Sequence, residues 1–114
     1  MQSLFRQRSV SLKDLLWLTK SLALLCHHGV PLPLALESLS IQPKSPNLQA
    51  LLKSAALDLQ EGIPLSQSLR SHCAALPRYY TEMLFAAEES GAFDDILSRL
   101  ESHLDRELLL RREL

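Results

Sequence analysis

The sequence is poor in the residues that build strands. Valine and isoleucine together number five, against 28 leucines, so the apolar content consists of side chains that favour helices and leaves little from which to make a sheet. The fold class this predicts is all-α. An excess of charge of either sign is also missing: the formal net charge is −1, which provides no global field for nucleic acid or an anionic membrane surface. No apolar run reaches the roughly 18 residues of a membrane span, and the basic opening MQSLFRQRSVS has no apolar h-region behind it. This stretch of chain therefore reads as soluble. Only three glycines occur, all isolated, which excludes a glycine-rich phosphate loop. The two cysteines, Cys26 and Cys73, lie beside apolar helical positions in a chain with no export signal and are expected as reduced thiols. At 114 residues a single domain can bury a core that needs neither disulfide nor metal.

What is present is leucine at helical spacing, punctuated by glycine and proline. Residues 1–10 read as an N-terminal tail, and residues 11–114 as one domain of six helices. Ser11 is the first N-cap, with Asp14 in capping-box register, and Leu15, Leu18, Leu22, Leu25 and Cys26 form a stripe that stops at Gly29. Pro33 suits the first turn of a short second helix with Leu32, Leu36 and Leu39 on one face. Ser45 and Pro46 read as N-cap and first residue of a third helix, which runs to Gly62. A fourth carries Ile63, Leu65 and Leu69 and ends near His72. Pro77 starts a fifth, with Tyr80, Met83, Leu84 and Ala87 leading to Gly91. The last has Phe93, Ile96, Leu97, Leu100 and Leu104 as its stripe, with Asp95–Arg99 and Glu107–Arg111 as i,i+4 pairs.

Within this order GVPLPLAL at 29–36 returns as GIPLSQSL at 62–69, thirty-three positions later. A third glycine corner, GAFDDIL from Gly91, lies only twenty-nine positions further and lacks the proline, so no strict array follows. Gly29, Gly62 and Gly91 are expected at helix C′ positions, with Pro31 and Pro64 completing the first two corners. The echo is an internal pseudo-repeat within one six-helix bundle: a long helix, a glycine stop and a short helix, used twice and closed by a helical hairpin.

Three constellations carry candidate chemistry. Cys26, His27 and His28 with His72 and Cys73 are zinc-ligand types, but neighbours on a helix point about 100° apart and cannot converge on one ion; the alternative is helix-end histidines facing carbonyls beside a small buried thiol. A nucleophile needs an adjacent base, and the serines fall mostly at caps and solvent faces. The corner EESGAFDD, residues 88–95, gathers Glu88, Glu89, Asp94 and Asp95, oxygen donors suited to a hard cation such as calcium, with Glu88 and Asp94 as its ligands. Against this stands a solvated corner whose Asp94 and Asp95 favour the start of the last helix. At the far end Leu108, Leu109 and Leu110 span about 200° of helix surface and cannot all face one core, so a weak homodimer is expected.

Taken in order, LLCHHGVPLPLALESL, LQEGIPLSQSL, LPRYYTEML and AAEESGAFDDILSRLESHLD resemble the F family of type II secretion and type IV pilus systems, from about Ser11 to Leu114. The most specific element is the Glu-x-Ser-Gly corner at Glu88, Ser90 and Gly91. The resemblance implies a six-helix domain of a polytopic bacterial inner-membrane platform protein, lying on the cytoplasmic side. On that reading it is a non-enzymatic scaffold that binds the assembly ATPase and neighbouring inner-membrane machinery, with no cofactor and no nucleic acid, and with Glu88, Ser90, Gly91 and Asp94 as interaction residues. Ala87 and His28 stand where the family has glycine or another small residue, so contacts that need close backbone approach there are not carried over. The final LLLRREL has no stop signal, and an apolar stretch of about 20 residues is expected beyond it. A natural stop after Leu114 would favour a free cytosolic helical adaptor instead.

Overall fold

The structure, a computed structural model of the chain, describes residues 10–42 and 45–113. Among these it has six helices and no strand: α1 (Leu12–His27), α2 (Leu32–Ser40), α3 (Pro46–Gln60), α4 (Leu65–His72), α5 (Arg78–Ser90) and α6 (Phe93–Glu113). Of the expected tail, residues 1–10, all but residue 10 lie outside the described residues. Each helix packs on the next in sequence, and α6 returns against α1. The bundle is thus a closed ring of neighbours, and each helix sends leucine to a common centre: Leu18, Leu36, Leu51, Leu69, Leu84 and Leu100 are all buried.

The helix starts follow from their first residues. Ser11 Oγ accepts the Asp14 N–H at 3.0 Å, and Ser45 Oγ accepts the Leu48 N–H at 3.2 Å, each satisfying one of the amides a helix start leaves open. The capping box expected at Ser11 is only half formed. Asp14 does not return to Ser11; its Oδ2 accepts from Ser45 Oγ at 2.6 Å. The two long helices of the pseudo-repeat are therefore tied together at their N-termini by one carboxylate.

The glycine corners differ in a way that explains their sequences. At the first, Gly29 N–H reaches Cys26 O and Val30 N–H reaches Leu25 O, both at 3.0 Å. At the second, Gly62 N–H reaches Leu59 O at 3.1 Å and Ile63 N–H reaches Asp58 O at 3.0 Å. This two-bond Schellman closure turns the chain toward the following proline. The third corner has a single bond, Gly91 N–H to Ala87 O at 2.7 Å, and α6 begins two residues later without a proline. Thirty-three-residue periodicity fails at the third corner because the cap there is of a different kind.

Two expectations about faces are corrected. Leu16 and Thr19 join the buried face of α1, while Leu25 and Cys26 are only partly buried, and Thr81 rather than Met83 is buried on α5. Thr19 is buried because it has partners. Its hydroxyl donates to Leu15 O at 2.7 Å and accepts from the Tyr80 hydroxyl at 2.6 Å. Among the described residues Tyr80 is the largest fully buried side chain, and burial pushes its hydroxyl pKa up to about 12. This strut crosses the ring from α1 to α5. The second correction concerns Glu107, whose Oε1 accepts from Tyr79 Oη at 2.7 Å and faces His103 at 3.7 Å rather than pairing with Arg111. A carboxylate that can reach a phenol on the neighbouring helix ties α6 to α5; an exposed i,i+4 pair would contribute only a few tenths of a kcal/mol.

The three corner glycines have φ of 83°, 87° and 78°, and nothing lies within 4 Å of where a Cβ would stand. Substitution there is costly through backbone conformation alone. Gly62→Val and Gly91→Val are each expected to destabilise the chain by about 1 to 3 kcal/mol, read as a fall in melting temperature. A melt within a degree of the parent at both positions would contradict the left-handed corner.

Candidate interaction site at the acidic corner

The second short helix, α4, starts at Pro64, which has no side-chain acceptor and makes no side-chain cap. Its open amide is satisfied from elsewhere. Glu88 Oε2 accepts the Ser66 N–H at 2.8 Å, and Oε1 accepts from Ser66 Oγ at 2.6 Å. A carboxylate on the last turn of α5 thus serves as the N-terminal cap of α4, where the helix dipole also favours negative charge. In the first repeat the position matching Ser66 is Pro33, which has no N–H to satisfy. The two copies solve one problem in two ways, by removing the donor and by importing an acceptor.

The rest of the motif closes its own corner. Ser90 Oγ donates to Ala86 O at 2.8 Å and accepts the Ala92 N–H at 3.2 Å, spanning the left-handed Gly91. Asp94, in the first turn of α6, sits 3.6 Å from His27 Nδ1 at the end of α1, with both side chains largely exposed; such a contact contributes little. Beside it a cleft of about 490 Å³ opens between Cys26, Val30 and Leu32 of the first corner and Gly91 to Asp95 of the third. Burial, and then the neighbouring Asp94, push the Cys26 thiol up from its ordinary pKa, so it is a poor nucleophile. Glu88 reaches the second corner and Asp94 the first. The acidic corner is the junction of the two repeats.

The two carboxylates expected to share a calcium ion have different partners, both oxygens of Glu88 being bonded to Ser66 while Asp94 faces His27. Among the described residues no group of three or more histidine, cysteine or acidic side chains assembles in a form that could hold a metal. The zinc-type residues have separate partners as well: His28 Nδ1–H donates to Leu24 O at 2.9 Å, and His72 Nε2 lies 3.0 Å from Asp58 Oδ2. Asp58 also accepts from Ser68 Oγ at 2.7 Å. Serine, histidine and aspartate meet here, but the serine gives its proton to the aspartate and not to the imidazole, so no base activates it. This polar knot binds α3 to α4. Residue spacing did not disclose it; the signal available was the change from Leu25 and Ala35 in the first copy to Asp58 and Ser68 in the second.

Residues 18–114 match the family described as type II secretion system (T2SS) protein F. The chain belongs to that family. Among the relatives of the protein F family, the type II secretion system protein F of Vibrio cholerae is 30% identical over 95% of this chain and 27% of its own length. The type IV pilus assembly protein PilC of Thermus thermophilus is 34% identical over 95% of this chain and 26% of its own, and the protein F of Pseudomonas aeruginosa is 28% identical over 94% and 26%. The chain spans about a quarter of the length of these relatives.

Removing the imported cap in Glu88→Ala is expected to cost about 1 to 2 kcal/mol. Adding Ser66→Pro to that variant, in imitation of Pro33, deletes the stranded amide and is expected to recover part of the loss in a chemical-denaturation series. If the double variant is less stable than Glu88→Ala, the matched-cap account is wrong. Calcium at millimolar concentration is expected to leave the melting temperature unchanged, since mass action needs a site specific to the folded state; a rise that Glu88→Ala abolishes would restore the cation reading.

Proposed function

We propose that this chain is a non-enzymatic scaffold domain of a platform protein in type II secretion or type IV pilus assembly. It sits on the cytoplasmic side of the bacterial inner membrane, binds the assembly ATPase and neighbouring machinery subunits, and self-associates weakly. The observation that carries this reading is the protein F family match over residues 18–114, with relatives named for both secretion and pilus assembly. Physical support comes from how the polar groups are used. Glu88, Asp58, Asp14 and Glu107 each tie one helix to another, a distribution that stiffens a bundle without building a reaction centre.

No helix among the described residues is long and apolar enough to cross a membrane, so on this reading the spanning segments belong to other parts of a longer protein. Ser90, Gly91 and Asp94 contribute to partner binding through the exposed outer surface of the corner, and Glu88 contributes by fixing its shape. Leu109 and Leu110, both more than half exposed, supply apolar surface at the end of α6. The test is direct binding between the chain and the assembly ATPase encoded in the same secretion or pilus gene cluster, by affinity capture and titration. Saturable binding that Asp94→Arg weakens severalfold is the expected result. No binding at high micromolar concentration of either partner would overturn the ATPase assignment.

A further inference from the structure

The outer face of α5 and the groove between α5 and α6 carry matched patterns of charge. On the outer face, Glu82, Phe85 and Glu89 are all exposed, and Phe85 keeps 54% of its surface in solvent. The groove, about 500 Å³, has Tyr79 and Met83 on one wall and Arg99, Ser102, His103 and Arg106 on the other. No acidic side chain lines it. Two carboxylates contact its lining side chains, Asp95 on Arg99 at 3.1 Å and Glu107 on Tyr79. Among the described residues Arg106 and Glu89 make no ion pair.

The spacing agrees as well as the sign. Glu82 and Glu89 are seven residues apart on one helix, and so are Arg99 and Arg106 on the other; at the α-helical rise each pair spans about 10.5 Å. Between the two carboxylates stands an exposed phenyl ring, and facing the two guanidiniums across the groove are the partly buried Tyr79 and Met83. The geometry points to a second copy of this chain as the occupant of the groove, with the Glu82–Phe85–Glu89 ridge of each copy seated in the α5–α6 groove of the other. A two-fold axis makes the contact isologous, so each dimer has two ridges, two grooves and two phenyl rings removed from water. Glu89 would pair with one guanidinium and Glu82, held 3.8 Å from its own Arg78, with the other.

This inference rests on the weak self-association in the proposed function and names the surface that carries it. Two double variants test it. In Arg99→Glu/Arg106→Glu the ridge and groove are both acidic, and in Glu82→Arg/Glu89→Arg both are basic. Each alone is expected to weaken dimerisation about tenfold or more in sedimentation equilibrium. Their equimolar mixture is expected to associate again, because both contacts then join opposite charges. Circular dichroism melts near the parent value confirm that the surface changes leave the bundle folded. A third variant, Leu109→Glu/Leu110→Glu, is expected to leave association intact. A parent chain that stays monomeric throughout overturns the self-association itself. A parent dimer that tolerates both charge reversals, a mixture no tighter than its components, or loss of the dimer only in the leucine variant overturns the α5 ridge alone.

Discussion

A helix leaves its first four N–H groups and its last four carbonyls without partners inside the helix. For α4, eight residues long, that is half of its backbone N–H and C=O groups. The contact that makes this helix viable comes from outside it, in the carboxylate of Glu88 on Ser66. The same bond holds α5 at a set height against α4, and so determines where the Gly91 corner falls and where α6 starts its return to α1. Because each helix packs on its sequence neighbour and α6 closes on α1, a displacement at one end of α5 is passed around the ring. The long helices tolerate weak ends because their middles bury leucine; the short ones do not, and each has a specific device at its start.

Much of this was legible in the residues. Leucine periodicity located all six helices, and Ser11, Ser45, Pro33 and the three glycines marked their starts and stops, because those features depend on steric and hydrogen-bonding rules acting within a few residues. The pseudo-repeat was legible for the same reason. What escaped was the set of polar partners that meet only after folding. Asp14 looked like a local capping-box acid and is an acceptor for a serine thirty-one residues away; Glu107 looked like half of an i,i+4 pair and is an acceptor for Tyr79. Thr19, a polar residue beside a leucine stripe, gave no sign of the Tyr80 hydroxyl that makes its burial tolerable. Local rules identify a donor or an acceptor, but the partner is chosen by topology.

The candidate site shows the same division. Glu-x-Ser-Gly was recognisable as a unit, and each of its members is now seen to have a task inside the chain: Glu88 caps another helix, Ser90 spans the turn, and Gly91 supplies the left-handed residue. A family motif of this kind is maintained by folding before any partner is considered. Asp94, three residues after this unit, has a weaker internal tie, an exposed contact to an exposed histidine, and so retains the most freedom to meet another molecule.

Glu88 and Glu89 make the distinction concrete, since they are adjacent and chemically identical. One is half-buried with both oxygens committed to Ser66; the other, about 100° further round the helix, is exposed on the same face as Phe85. Exchanging a solvated carboxylate for a structural one costs desolvation, which the two hydrogen bonds at Ser66 and the start of the α4 dipole offset. No such compensation acts on Glu89 or Arg106, which make no ion pair among the described residues, and Glu82 has only an exposed contact to Arg78 on its own helix. An aromatic ring left in water between two such carboxylates is a cost to solubility that the fold does not require. In a chain whose other exposed acids at helix ends are tied inward or sit at solvated turns, that uncompensated stretch of α5 is where the demands of the isolated bundle stop and those of an assembly begin.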